Sequence, residues 1–170
     1  MKMKRNLLLI SMVFLFFVSC TRDKTEVGFK YHETILNHQT DVLEAFEEAL
    51  DAVTKDVEVL QLKRENALNV TQKAINETEK IEIIENGEIL KKESLHLLQE
   101  IENILSDKFQ KIIEIREDLN IIYRDELVDE LNDIIMISHD QIDSLIIKFN
   151  KAQIDFGNHY HFELTEENQN

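Results

Sequence analysis

Apolar residues recur along this chain at steps of three and four, the spacing that puts side chains on one face of an α-helix. Four segments carry such a stripe. From Phe29 to Val53 it holds Tyr31, Ile35, Val42, Phe46, Ala49, Leu50 and Val53. From Val57 to Ile84 it is thin, with Leu60, Ala67, Val70, Ala74 and Ile81 interrupted by Lys63 and Thr78. From Ile89 to Leu119 it is Leu90, Leu97, Leu98, Ile101, Ile104, Leu105, Ile112, Ile115 and Leu119. From Asp125 to Phe156 it is Leu127, Leu131, Ile135, Ile142, Leu145, Ile146, Phe149 and Phe156. Helices of this length bury their stripes by packing against one another at shallow angles. The pattern predicts an all-α fold, an up-down four-helix bundle of long antiparallel helices over residues 28–164, followed by a polar tail at 165–170. A long coiled-coil hairpin dimer is the competing arrangement. The second helix has the least apolar area to bury and is expected to be the least stable member. Its start is marked only by a turn at Thr54-Lys55-Asp56.

Helix breakers are scarce, with no Pro and only 3 Gly in 170 residues. One local signal departs from the helical pattern. Asn86-Gly87 stands between Ile81-Glu82-Ile83 and Ile89-Leu90, and Asn-Gly between apolar runs is a strong hairpin cue. Because helical stripes continue on both sides, it reads instead as a helix C-terminus with Gly87 as the left-handed cap.

The first residues have a different pattern. Lys2, Lys4 and Arg5 precede the apolar run Leu7–Val18, and the small Ser19 stands before Cys20. This is the layout of a secretory signal over residues 1–19, its apolar run falling short of the roughly 20 residues that span a bilayer. Phe17-Val18-Ser19-Cys20 resembles a bacterial lipobox, which implies cleavage before Cys20, acylation of that residue, and attachment to a membrane by lipid. Residues 20–27 then read as a short lipid-anchored tether. With 1 Cys in the chain, no intramolecular disulfide and no thiolate metal site can form. The formal charge is -15; removal of residues 1–19 takes away three basic and no acidic side chains, leaving 16 Lys and Arg against 34 Asp and Glu, a net of −18. Such a surface argues against nucleic acid and against attraction to anionic headgroups, so the lipid alone must hold the chain.

Reactive constellations are largely missing. The sequence has no Gly-rich phosphate loop and no nucleophile elbow, and its one thiol is assigned to lipid, so no enzyme activity is expected. Glu93-Ser94-Leu95-His96 has the Glu-x-x-His spacing of di-iron bundles. No second copy exists, and His96 lies about 140° from the stripe centre at Ile101, facing water.

The bundle topology suggests a better candidate. It brings the start of the first helix to the end of the fourth, so Tyr31, His32 and His38 approach His159, Tyr160 and His161. Gln39 and Gln153 each lie about 20° from their stripe centres and point into the core. A buried carboxamide needs partners, so a mutual hydrogen bond is expected, within a plug of Gln39, Gln153, Tyr31 and Tyr160 that closes the bundle. The alternative is a pocket in which His32, His38, His159 and His161 bind a small ligand or a divalent cation; no other cofactor is expected.

Two stretches bear a family likeness. Tyr31-His32-Glu33-Thr34-Ile35 through Gln39 and Val42, and Ala152-Gln153-Ile154-Asp155-Phe156 followed by Tyr160, Phe162 and Leu164, resemble the ends of a family of small predicted bacterial surface lipoproteins of unassigned function. The resemblance implies a helical, lipid-anchored envelope protein with no assigned activity; the tether, the solvated acidic faces and the absence of reactive constellations lead to the expectation of outer-membrane attachment and of a structural role or interaction with an envelope protein partner. The resemblance transfers no catalytic residue.

Overall fold

The computed structural model describes the backbone of residues 3–164 and the side chains of residues 24–164. The polar tail at 165–170 and the side chain of Cys20, the expected point of acylation, lie outside the residues so described, while the backbone at the expected cleavage site runs within a helix. Among the described residues the fold is all-helical, without a strand. Helix α1 (Met3–Asp51) leads through a 3-10 turn (Ala52–Thr54) to α2 (Val57–Lys80). Then α3 (Glu88–Asn103), a π-helical turn (Ile104–Lys108) and α4 (Phe109–Ile121) form one continuous rod, and α5 (Asp125–Tyr160) follows a short turn. The expected tether is not free chain where its side chains are described: residues 24–27 belong to α1, and Lys24 pairs with Glu85 at 2.9 Å.

α1 lies mainly on α2 and to a smaller extent on α5 and α3, α3 lies on α5 and α2, and α4 continues the packing of the rod against α2 and α5. Their directions follow from cross-helix bonds. His38 reaches Thr78 while Glu48 reaches Lys63, so α1 and α2 run antiparallel. Lys108 meets Gln141 and Lys111 meets Glu130, which sets α5 antiparallel to the central rod. His32 meets Gln153 and Tyr31 meets Phe156, so α5 runs antiparallel to the second half of α1 and ends beside residues 28–32. Acidic Asp125 and Glu126 in the first turn of α5 suit the positive end of the helix dipole.

The predicted stripes meet in one core. Ile35, Val42, Leu60, Leu90, Leu97, Leu98, Ile101, Leu105 and Ile112 are completely or almost completely buried. Phe109, absent from the predicted stripe, is also fully buried and packs edge-on to Phe46 at 5.8 Å. It follows the π turn, where the Phe109 N–H donates to Ile104 O, five residues back. The wider turn advances the buried face of the rod and leaves carbonyls short of partners. Arg64 satisfies two of them, donating from Nε to Leu105 O at 2.6 Å and from Nη2 to Ser106 O at 3.0 Å.

α2 contributes the least apolar bulk: its buried residues are Leu60, Ala67, Thr71, Ala74 and Thr78. The two threonines are compatible with burial because each hydroxyl has a partner, Ala67 O for Thr71 and His38 Nδ1 for Thr78.

The α2–α3 connection corrects the reading of Asn86-Gly87. α2 ends at Lys80, where Ile81 becomes extended at φ −62°, ψ 123°. The left-handed residue is Asn86 at φ 56°, and Gly87 has φ −82° and precedes α3. Asn tolerates the left-handed region, so Gly87 is not needed there for its backbone freedom. Its requirement is spatial: a Cβ at Gly87 would lie 2.9 Å from the Tyr31 ring.

Candidate functional site

Where residues 28–32 of α1, the end of α5 and the α2–α3 connection meet, buried His32, Gln153, Tyr31, Phe156 and Tyr160 come together. Tyr31 donates its hydroxyl to Gly87 O at 3.0 Å, and Tyr160 donates to Glu85 O at 2.7 Å. Asn86 Nδ2 donates to His159 Nε2 at 3.0 Å, and Lys24 pairs with Glu85. α1 and α5 thus hold three successive residues of the connection, Glu85 and Gly87 through their backbone carbonyls and Asn86 through its side chain.

Aromatic rings fill the space beneath. Phe156 lies 5.5 Å from Tyr31, 4.7 Å from Tyr160 and 6.1 Å from Phe162, while Phe162 also contacts Phe29 at 5.7 Å and His32 at 5.4 Å. The three glycines of the chain each receive one of these rings. A Cβ at Gly28 would overlap Tyr160 and one at Gly87 would crowd Tyr31, while at Gly157 it would press on Phe162. Phe162 folds back because α5 ends in a Schellman turn: His161 takes the left-handed conformation at φ 59°, and the Phe162 N–H donates to Gly157 O at 3.1 Å.

Burial sets the protonation behaviour of this end. The Tyr31 hydroxyl is pushed up to about 12, first by burial and then by the neighbouring Tyr160. Tyr160 is raised as well, by burial and by the Glu85 carboxylate. His32, only 2 % exposed, is held below its ordinary value of 6.5 because burial disfavours the cation, an effect partly offset by its bond to Gln153. The neutral imidazole donates from Nε2 to Gln153 Oε1 at 2.7 Å, and Gln153 Nε2 donates in turn to Asn150 Oδ1 at 3.0 Å.

The expected pairing of Gln39 with Gln153 is therefore replaced. Both are 1 % exposed, as their positions on the wheels require, but each has another partner. Gln39 Nε2 donates to Ser94 Oγ at 2.7 Å and to Ser94 O at 3.1 Å, joining α1 to α3. Its Oε1 has no partner in the protein. Gln39 is two helical turns, about 10 Å, along α1 from His32, the residue that does reach Gln153. His32 and Ser94, both missed as partners, carry the polar continuity that a glutamine pair was expected to supply. Ser94 could have been found as the serine that falls between Leu90 and Leu97 on the α3 stripe.

The four expected histidines do not gather. His32 is turned toward α5. His38 faces α2, bonding Thr78 Oγ1 at 2.9 Å and standing 3.5 Å from Glu77. His159 is exposed against Asn86, and His161 is exposed in the terminal turn. Among the described residues no group of three or more His, Cys, Asp or Glu side chains is arranged to hold a metal ion. The divalent-cation pocket is thus not assembled, because residues 32 and 38 lie on different faces of α1. Glu93 is half-buried and His96 exposed on α3, with no second Glu-x-x-His opposite them.

Among the described residues no helix is long and apolar enough to cross a membrane. No protein-family model matches the chain, and neither a curated protein nor a solved structure does.

Proposed function

We propose that this chain is a lipid-anchored protein of a bacterial cell envelope, attached to the outer membrane through Cys20, and that its body is an up-down four-helix bundle acting as a structural or protein-interaction module without catalysis. The observation that carries the reading is the use made of the polar groups at the end of the bundle that follows the anchor. His32, Gln153, Tyr31 and Tyr160 spend their hydrogen bonds on neighbouring helices and on the α2–α3 connection. They hold that end closed, which is the work of a plug rather than of a reactive site. The antiparallel cross-helix bonds support the bundle, and the order of basic start, apolar run, Ser19 and Cys20 supports the anchor. The likeness of both chain ends to surface lipoproteins points the same way.

Detergent phase partition of the full chain made in a Gram-negative host tests the anchor. The product should enter the detergent phase with an acylated N-terminal Cys20, and C20S should stay in the aqueous phase. A wild-type product in the aqueous phase with an unmodified thiol would overturn the proposal.

A further inference from the structure

We infer that the far end of the bundle, an apolar tip of Ile121, Ile122 and Tyr123 within a collar of carboxylates, docks an envelope protein through an apolar socket rimmed by Lys and Arg. The inference rests on the interaction role proposed above and gives it a location and a partner chemistry. The far end lies opposite the closed one. There the α1–α2 turn meets the end of the rod, Arg116 donating from Nη2 to Lys55 O at 2.8 Å. Ile121 lies five residues beyond Arg116, about 7 Å of helical rise, so the α4–α5 turn projects past the α1–α2 turn.

Two features of this end cost the isolated chain stability. The first is apolar exposure. Ile121, Ile122 and Tyr123 are 79 %, 62 % and 71 % exposed, three consecutive residues at a turn where small polar residues would serve. Such a run gains nothing from facing water and is explained by a surface that covers it. The second feature is charge. Residues 51–58 and 114–130 hold ten acidic and three basic side chains, a net of −7, whereas residues 24–31, 80–92 and 157–164 at the closed end hold five of each. Asp125 and Glu126 suit the start of α5, but Asp51 ends α1, and Glu117 and Asp118 stand at the end of α4, where the helix dipole disfavours a carboxylate. Neither α1 nor α4 has a basic residue in its last turn. Arg124 lies 3.9 Å from Asp118 and Arg116 is held at the α1–α2 turn, so two cations face a much larger number of carboxylates.

One kind of surface relieves both costs, with apolar side chains to cover the tip and cations to meet the collar. The bilayer that holds the anchor cannot supply it, because α1 rises about 40 Å from Lys24 to Asp51. An opposing anionic bilayer would repel the collar. A second copy brings the same carboxylates, and copies anchored in one membrane point their tips the same way. A protein surface with a basic rim remains.

The test is photocrosslinking of the full chain in its own envelope from p-benzoylphenylalanine placed at Ile122, with the same probe at Ile147, exposed in the middle of α5, for comparison. Position 122 should give a discrete protein adduct roughly tenfold above position 147. The attached peptide of the partner should combine apolar residues with Lys or Arg. With the probe at 122, I121S/Y123S and E117K/D118K should each lower the adduct roughly tenfold, while E117D/D118E retains it. Because the native side chains cost stability, both of those lowering variants should melt at the wild-type temperature or above it. An adduct with lipid or with a second copy, an attached segment without Lys or Arg, or a yield unaffected by either double variant would overturn the inference. A lower melting temperature would do the same, by assigning these side chains to the fold. Adducts from position 147 equal to or above those from 122 would keep the interaction role and refute the tip. Detergent partition of the same preparation reports on the anchor independently, so a failed tip and a failed anchor are told apart.

Discussion

Removing the carboxamide of Gln153 tests whether the closed end is held by its polar network. Gln153 is 1 % exposed and accepts from His32 Nε2 at 2.7 Å, so Gln153→Ala leaves an imidazole N–H buried without an acceptor. An orphaned buried donor costs about 1–3 kcal/mol. The lost side-chain methylene adds about 0.8 kcal/mol. The sum, about 2–4 kcal/mol, should lower the melting temperature by roughly 5–15 °C in a chain of this size. The effect should also be coupled. In a His32→Phe background the donor is gone, so Gln153→Ala should cost less, by about 0.5–3 kcal/mol. The same contact predicts a pH dependence. His32 has a folded pKa below its unfolded value of 6.5, so under mildly acidic conditions the unfolded chain binds the proton more readily. Stability is then fully present above about pH 6.5, declines as pH falls through that value, and stops declining below the folded pKa. His32→Phe should remove this part of the profile. Thermal melts of the four proteins of the cycle across mildly acidic pH provide the assay. Additive costs, or a wild-type profile identical in shape to that of His32→Phe, would refute the reasoning.

Other perturbations probe the same architecture. Alanine at the three glycines should destabilise in the order Gly28, Gly87, Gly157, since the added Cβ overlaps the Tyr160 ring at the first, lies 2.9 Å from Tyr31 at the second and meets its nearest neighbour only at 3.2 Å at the third; overpacking costs about 1–3 kcal/mol, and calorimetry showing the reverse order would contradict the packing. Phe109→Ala should cost about 3–5 kcal/mol in a denaturant titration, the range for emptying a buried phenylalanine site, and an unchanged midpoint would mean that the π turn does not deliver the ring to the core. Spectrophotometric titration should find Tyr31 ionising near 12, so stability contributed by the neutral phenol is present below pH 10 and lost as pH rises through that folded value; a Tyr31→Phe protein with the same alkaline profile would show that the group is solvated.

Much of this architecture is already written in local order. The recurrence of apolar residues at Tyr31, Ile35, Val42 and Phe46, or at Leu97, Ile101 and Leu105, requires a helix with one buried face, because helical geometry relates only neighbours three and four apart. The wheel also places Gln39 and Gln153 inward, since facing the core is a property of a single helix. The basic start, apolar run and Cys20 are equally local, and they carry the expectation of a lipid anchor without help from the fold.

Other features depend on contacts across the chain and have no local signature. Which group a buried glutamine bonds is set by the height at which two helices meet. Gln39 therefore finds Ser94, and His32, two turns away, finds Gln153. Asn86 rather than Gly87 takes the left-handed conformation because the connection is drawn under Tyr31 and Tyr160, and only a residue without a Cβ fits beneath the first of those rings. Phe109 enters the core because five residues of π helix turn the rod, and Arg64 from another helix satisfies the carbonyls exposed there. The histidines disperse for the same reason. Proximity in topology brings backbones to one end, but the rotation of each helix, fixed by the packing of its whole face, decides where its imidazoles point.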